Sequence, residues 1–281
     1  MIRKLTPVIE WGTLLLSTGL ACFFLAIILW DLISKGAPSL SWEFISSSPT
    51  DGMTKGGILP AIIGTVLLTF ITALVAAPFG ICCAIYLNEY AVDNWLTRII
   101  RASIRNLAGL PSIIYGLFGL ALFVQGLQMG TSLLAAGLTL GLLSLPYIII
   151  TTEEALRRIP NRMREAALAV GATQLESIRD VVLPSALPGI LTGLVLTLSR
   201  AAGETAPILF TGVAFYINKP AAYLNQEFMA LPYHLYMLST QHQAIEQVRP
   251  LAYGTALVLI IVVFFLNLSA FYIRYQHSKH E

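Results

Sequence analysis

Charge is what this sequence has least of. Only 11% of its 281 residues are Asp, Glu, Lys or Arg and 56% are hydrophobic, against about 25% charged in an average soluble domain. That shortage excludes a soluble globular chain, and the formal net charge of +2 is spread too thinly to make a nucleic-acid surface. Catalytic signatures are absent too: there is no G-x-x-x-x-G-K-[ST] phosphate loop, no H-E-x-x-H and no G-x-S-x-G. The chain therefore carries no nucleotide site of its own and no catalytic residue is assigned. His234, His242, His277 and His280 fall in loops or in the tail, so no metal ligands are assigned either. Cysteine is scarce: Cys22, Cys82 and Cys83 all lie in apolar runs, and adjacent Cys82 and Cys83 are poor disulfide partners. They read as lipid-facing or packed thiols. Neither a 20- to 50-residue repeat nor a low-complexity tract is visible.

What is abundant is apolar sequence in lengths that match a bilayer. Stretches of roughly 20 apolar residues lie at about 11–33, 57–87, 107–127, 131–152, 188–210 and 251–273. The reading is an all-α integral membrane protein with six transmembrane helices. Arg3 and Lys4 before the first stretch resemble a signal peptide, and "GLAC" ending at Cys22 resembles a lipoprotein site. The apolar run is too long for the one and continues past the cysteine of the other, so it reads as a retained helix. Trp11 and Trp30 mark its two interfacial ends.

Lys and Arg placement gives orientation. Arg3, Lys4, Arg98, Arg101, Arg105, Arg157, Arg158, Arg162, Arg164, Arg179, Arg274 and Lys279 fall on one side, and only Lys35, Lys55, Lys219 and Arg249 on the other. The richer side is cytoplasmic by the positive-inside rule, which puts both termini of a multi-pass protein there. The chain divides into a helix and outer loop at 1–56, a core at 57–273 and a cytoplasmic tail at 274–281. Pro78 in "AAPFG" and the Gly- and Pro-rich "NLAGLPSIIYGLFG" predict bent or closely packed helices, with or without a gating role.

The cytoplasmic segment at about 153–187, containing "RRIPNRMREAALAVGATQLESIRDVVLPSALPG", predicts a folded hairpin. Pro160 ends the preceding helix and Asn161 caps the next, whose Met163, Ala166, Ala167 and Val170 share a face. Gly171 supplies a left-handed turn. Thr173 and Glu176 form a capping box that starts a second helix, with Leu175, Ile178 and Val182 on its apolar face and Leu183 and Pro184 as its stop. Such a hairpin either docks on a cytoplasmic partner or lies on the membrane surface.

The apolar run "LTLSRAAGETAPILF" holds two full charges. Arg200 lies 12 residues beyond Pro188, about 18 Å into the membrane at 1.5 Å per residue. An unpaired Arg there costs on the order of 3 kcal/mol. Glu204 at i+4 shares its face. The two form either a structural ion pair or a site for an oxyanion, which an Arg fork suits.

Two strings carry a family resemblance. Glu165, Ala166, Ala167, Gly171, Leu183 and Pro184 match the pattern E-A-A-x3-G-x9-I-x-L-P at six of seven specified positions, with Val181 in place of Ile. This resembles the cytoplasmic loop of permease subunits of ATP-binding-cassette importers, over about residues 57–273. The resemblance implies the type I importer permease fold, a coupling helix that docks on a partner ATPase, and ATP and magnesium held by that ATPase with no cofactor in this chain. "SRAAGETAP" and "ALPYHLYMLST" are similar to the permeases of phosphate-specific importers, the second permease subunit in particular. This second likeness implies half of a phosphate path, with Arg200, Glu204 and Thr205 as candidate path residues. The implied partners are a second homologous permease, an ATPase dimer, an extracytoplasmic phosphate-binding protein and membrane lipid. A permease for sulfate, molybdate or phosphonate, or a secondary transporter or channel, stays open as an alternative.

Overall fold

The computed structural model describes residues 2–217 and 223–278, and side chains over 11–217, 223–268 and 271–272. Lys219, Lys279 and His280 lie outside the described residues, as do the side chains of Arg3, Lys4, Arg274 and His277. The chain opens with α1 (Ile2–Gly36), followed by α2 (Trp42–Ser46) and an antiparallel hairpin of β1 (Pro49–Thr50) and β2 (Lys55–Gly56). Then come α3 (Leu59–Ile85), α4 (Trp95–Ala108), α5 (Ser112–Gly119) and α6 (Leu133–Arg157). The hairpin that follows α6 starts with α7 (Asn161–Ala169) and α8 (Gln174–Ser177) and leads into α9 (Leu183–Ala202). Last are α10 (Ala206–Leu209), α11 (Leu231–Tyr236) and α12 (Ile245–Ser278). Among the described residues, five helical stretches are long and apolar enough to cross a membrane, and a bent pair makes a sixth.

That bent pair corrects the expected crossing at 107–127. The chain turns by 101° between α4 and the stretch Ser112–Gly126, because Pro111 has no N–H to give and drives Leu110 out of helical geometry. The freed carbonyls find partners: the Tyr115 hydroxyl donates to Leu107 O (3.0 Å) and the Tyr147 hydroxyl to Ala108 O. α4 is itself amphipathic. Trp95, Leu96 and Ile99 lie exposed along one side, while Arg98, Arg101 and Arg105 follow the other at helical spacing.

The centre of the bundle is the pairing of α3 with α6. Gly137 and Gly141 sit one turn apart on α6, and a Cβ at Gly137 would come within 2.5 Å of Ile71 Cγ2. Gly80 on α3 is held equally close by Ile148, at 2.6 Å. Small residues are what let helices approach where lipid supplies no hydrophobic drive between them. α1 contributes nothing to this centre. Its membrane stretch is exposed, including Trp11 and Trp30, and it closes on α12 where Gly36 meets the Tyr253 backbone.

The outer segment folds back onto the bundle. Gln226 O and Leu224 O accept from Leu133 N and Leu134 N (2.9 Å each), and Ser132 Oγ accepts from Ala135 N. The orphan N–H groups of the first turn of α6 are thereby satisfied. Phe44, Met53, Ile58, Met229, Leu231 and Val248 pack into one outer core. His234, expected in a loop, is buried on α11, and its burial pushes the imidazole pKa down to about 4, leaving it neutral at pH 7.

Gly137→Val is expected to cost about 1–3 kcal/mol by overpacking against Ile71. It should lower the melting temperature in detergent, while Gly12→Val on lipid-facing α1, where no atom lies within 4 Å of the added Cβ, should leave it unchanged.

Candidate translocation path and coupling surface

α9 stops inside the bundle. The expected crossing at 188–210 is not one rod: the helix ends at Ala202, Gly203 N bonds back to Arg200 O (3.0 Å) and Glu204 N to Ala201 O (3.2 Å), and α10 begins three residues later. Gly203 and Pro207 account for the break, the first by low helix propensity and the second by fitting only a helix's opening turn. Arg200 is thus in the last turn of α9 and Glu204 just beyond it. Their i+4 spacing still brings them together, with Arg200 Nε 3.4 Å from Glu204 Oε1. Thr205 opens α10.

The pair lines a cleft of about 620 Å³ between α9 and α12, along with Ser199, Leu259, Ile260, Val263, Phe264 and Asn267. Thr205 is not among the residues lining it. The Arg200 side chain is 52% exposed and that of Glu204 16%, so the cation faces the cleft with one long contact to its carboxylate. Under it lies an aromatic ring, with Arg200 Cζ 4.5 Å from the Tyr147 centroid. Tyr147 is near the middle of α6, so the cation lies beside the middle of that helix. Ser199 Oγ donates to Asn267 Oδ1 across the same cleft.

At the other end of the bundle α7 runs Asn161–Ala169, and Gly171 takes φ +90°, the left-handed turn that the sequence requires. Nothing lies within 4 Å of a Cβ built at Gly171, so backbone conformation alone selects glycine there. Both halves of the capping box form between Thr173 and Glu176. Asn161 does not cap: Pro160 holds that position and Asn161 Oδ1 instead accepts from Arg164 Nη1 (3.4 Å). Nor do Leu183 and Pro184 stop the second helix. α8 passes through a widened π turn, Ile178–Val182, directly into α9, giving one continuous stretch Gln174–Ala202. Pro184 sits in the first turn of α9, where a missing N–H costs least.

The hairpin presents Met163 (38% exposed), Leu168, Val170 (85%) and Leu175 to the outside. Glu165 and Ala166 are exposed and Ala167 is half-buried. Leu183 turns inward, against a core of Ala155, Leu156, Val182, Ala186 and Ile190. An exposed apolar end on a folded, capped hairpin is the geometry of a docking surface.

Residues 76–279 match the family described as the binding-protein-dependent transport system inner membrane component. The chain belongs to that family. Its relatives include the probable ABC transporter permease protein YqgI of Bacillus subtilis (strain 168), 32% identical over 96% of this chain and 95% of that protein. The phosphate transport system permease protein PstA of Pasteurella multocida (strain Pm70) is 34% identical over 99% of this chain and 97% of its own length. In fold, this inner membrane component is similar to a chain of the inward-facing MetNI methionine ABC transporter, with a TM-score of 0.65, 21% identity and coverage of 78% and 95%. It is also similar to a chain of a bacterial alginate ABC transporter, with a TM-score of 0.66, 18% identity and 95% coverage of both. The fold is that of an ABC importer permease.

Several residues of this transport component escape sequence reasoning. Asn267 is a lone amide in the apolar run "FFLNLSAF", a signal that intramembrane polar groups serve a purpose. Glu89, at the end of "CCAIYLNEY", reaches Arg164 in the hairpin. Arg101 and Arg157 both contact Glu153 Oε1 at 2.8 Å, and Arg101 Nη2 donates to Leu87 O. Tyr147 has no sequence signal at all, since its role rests on what lies above and beside it.

Removing the ring under Arg200 is expected to weaken transport. Tyr147→Leu loses both the cation–π contact and the bond to Ala108, and should lower the transport rate roughly tenfold. Tyr147→Phe keeps the ring and should retain more of the rate, as measured in vesicles holding the complete transporter.

Proposed function

We propose that this chain is one half of the membrane path of an importer for inorganic phosphate. A second, homologous permease forms the other half, a dimer of ATPase subunits holding ATP and magnesium drives the cycle, and an extracytoplasmic phosphate-binding protein delivers the anion. Both termini lie in the cytoplasm. The chain performs no catalysis and needs no cofactor of its own. The observation that carries this reading is the half-exposed Arg200 in a cleft that it shares with Glu204, Ser199 and Asn267, in a chain whose full-length relatives include phosphate transport permeases.

The weakness of the Arg200–Glu204 contact suits transport. A solvent-accessible pair is worth about 0.2–1 kcal/mol, too little to lock the cation away and enough to keep it neutralised between anions. A phosphate entering the cleft competes with Glu204 for the fork, and the carboxylate recaptures it as the anion leaves. Conduction requires binding that is weak and exchangeable in this way. Thr205, next to Glu204, opens α10 outside this cleft, so the path role falls on Arg200 and Glu204. At the other end Glu165, Ala166, Ala167 and Gly171 shape the surface offered to the ATPase, and Leu183 and Pro184 fasten it to α9.

In proteoliposomes holding both permeases, the ATPase and the binding protein, phosphate should stimulate ATP hydrolysis and enter, whereas sulfate and molybdate should do neither. Stimulation by one of those anions instead would assign another oxyanion. Arg200→Gln should abolish uptake and Arg200→Lys should reduce it, because the bidentate fork is lost. The double change Arg200→Gln with Glu204→Gln neutralises both members and should assemble well yet carry no phosphate; near-normal uptake by it would make the pair purely structural.

Orientation is checked separately by thiol labelling in a chain lacking Cys22, Cys82 and Cys83. A cysteine at exposed Asn161 should react with an impermeant reagent only from the cytoplasmic side, and one at exposed Asn225 only from outside.

A further inference from the structure

The hairpin is joined covalently to α6 and α9, but α3, which packs along the whole of α6, has no chain connection to it. Beside the apolar packing of Ile81 and Ile85 on the core that holds Val182, one polar junction makes the link. Glu89, in the π turn Tyr86–Tyr90 that ends α3, receives the Arg164 fork from α7. Arg164 Nε lies 3.0 Å from Glu89 Oε2 and Nη2 lies 2.7 Å from Oε1. The remaining polar atoms are used as well. Arg164 donates to Ile159 O (2.7 Å) and Leu156 O (3.1 Å) at the end of α6, Asn88 Nδ2 donates to Glu89 Oε1, and Gln174 Nε2 on α8 donates to Glu89 O at 2.8 Å. The side chains are 18% and 6% exposed.

A bidentate, desolvated pair with its other donors satisfied differs in kind from a surface ion pair. The geometry is fixed by the planar fork, and removing either partner strands a buried charge. Arg164 is partly buried on α7 while Met163, Glu165, Leu168 and Val170 are exposed, and Arg164 immediately precedes Glu165. The hairpin therefore has one side open to a partner and the other bolted to α3.

We propose that the Glu89–Arg164 pair is a latch that makes α3 move as one body with the coupling hairpin, so that displacement of the hairpin reaches the α3–α6 pair as well as α9. Both are positioning residues: neither touches the transported anion. The proposal rests on the reading of the chain as an ATPase-driven permease. Without the latch the hairpin still follows its ATPase and still pulls α9, but α3 lags, and hydrolysis runs without a matching opening of the path.

The test uses the complete transporter in proteoliposomes. Arg164→Ala and Glu89→Ala should remain associated with the other subunits and continue to hydrolyse ATP, while phosphate taken up per ATP falls at least tenfold. The exchanged pair Glu89→Arg with Arg164→Glu should recover most of that ratio. An unchanged ratio in the single variants overturns the latch, as does loss of assembly that the exchanged pair fails to restore. A second readout is independent of the transported anion. Spin labels at Tyr90 and Phe271, both exposed, report the cytoplasmic ends of α3 and α12. Their separation should change between nucleotide-free and ATP-trapped states in the wild type, stay fixed in Arg164→Ala, and change again in the exchanged pair. A nucleotide-driven change that persists in Arg164→Ala refutes the proposal. Wild type that shows this distance change but no phosphate stimulation leaves the latch standing and refutes the phosphate reading alone.

Discussion

A helix end inside a membrane is the constraint that shapes the outer half of this protein. Lipid offers no hydrogen bonds there, so backbone groups released at the end of a helix and turned to lipid cost several kcal/mol each unless the protein supplies partners. α9 ends at Ala202, beside Tyr147 and thus near the middle of α6. Gly203 and Glu204 N–H groups close the last turn, and the Thr211 hydroxyl bonds to Pro207 O in the next. The remaining outer depth is filled by chain folded back from outside, with Phe228, Met229, Ala230 and Leu231 all buried and Leu231 N held by Thr65 Oγ1 (2.8 Å). Gly64 makes room for that return, because a Cβ there would collide with Met229 O. The broken helix sets Arg200 and Glu204 at the edge of a cleft instead of sealing them between helices.

The half that carries the hairpin solves the reverse problem, keeping a helix continuous where the sequence suggests a stop. From Gln174 to Ala202 the backbone runs unbroken, roughly 43 Å at 1.5 Å per residue. The hairpin and the last turn holding Arg200 therefore sit on one rod. A rod transmits displacement where a flexible joint would absorb it, and the widened turn Ile178–Val182 is what lets it pass Pro184.

Two Arg–Glu pairs in the same chain show how burial assigns different work to identical chemistry. Arg164 and Glu89 make two short bonds with side chains 18% and 6% exposed, whereas Arg200 and Glu204 make one contact at 3.4 Å with Arg200 52% exposed. Breaking a buried pair costs about 3–5 kcal/mol and an open one about 0.2–1 kcal/mol. The first therefore costs several times more to break than the second. Nothing in the one-dimensional sequence separates them, and i,i+4 spacing flags only the weaker.

The sequence by itself determined the features that depend on near neighbours. Apolar length marked the membrane stretches, and the Thr173–Glu176 box and Gly171 specified the hairpin's turn, because capping and left-handed backbone are decided within a few residues. The motif at Glu165 to Pro184 located the family, and the i+4 spacing paired Glu204 with Arg200. Tertiary structure alone decided where helices break or continue. Proline at 111 turns the chain by 101° while proline at 78 and at 184 does not interrupt a helix, since the outcome depends on which carbonyls find partners elsewhere. It alone brought Tyr147 under Arg200, Asn267 opposite Ser199 and Glu89 to Arg164. These contacts join residues 53, 68 and 75 positions apart, and a periodicity that runs along one helix carries no information about which helix lies beside it.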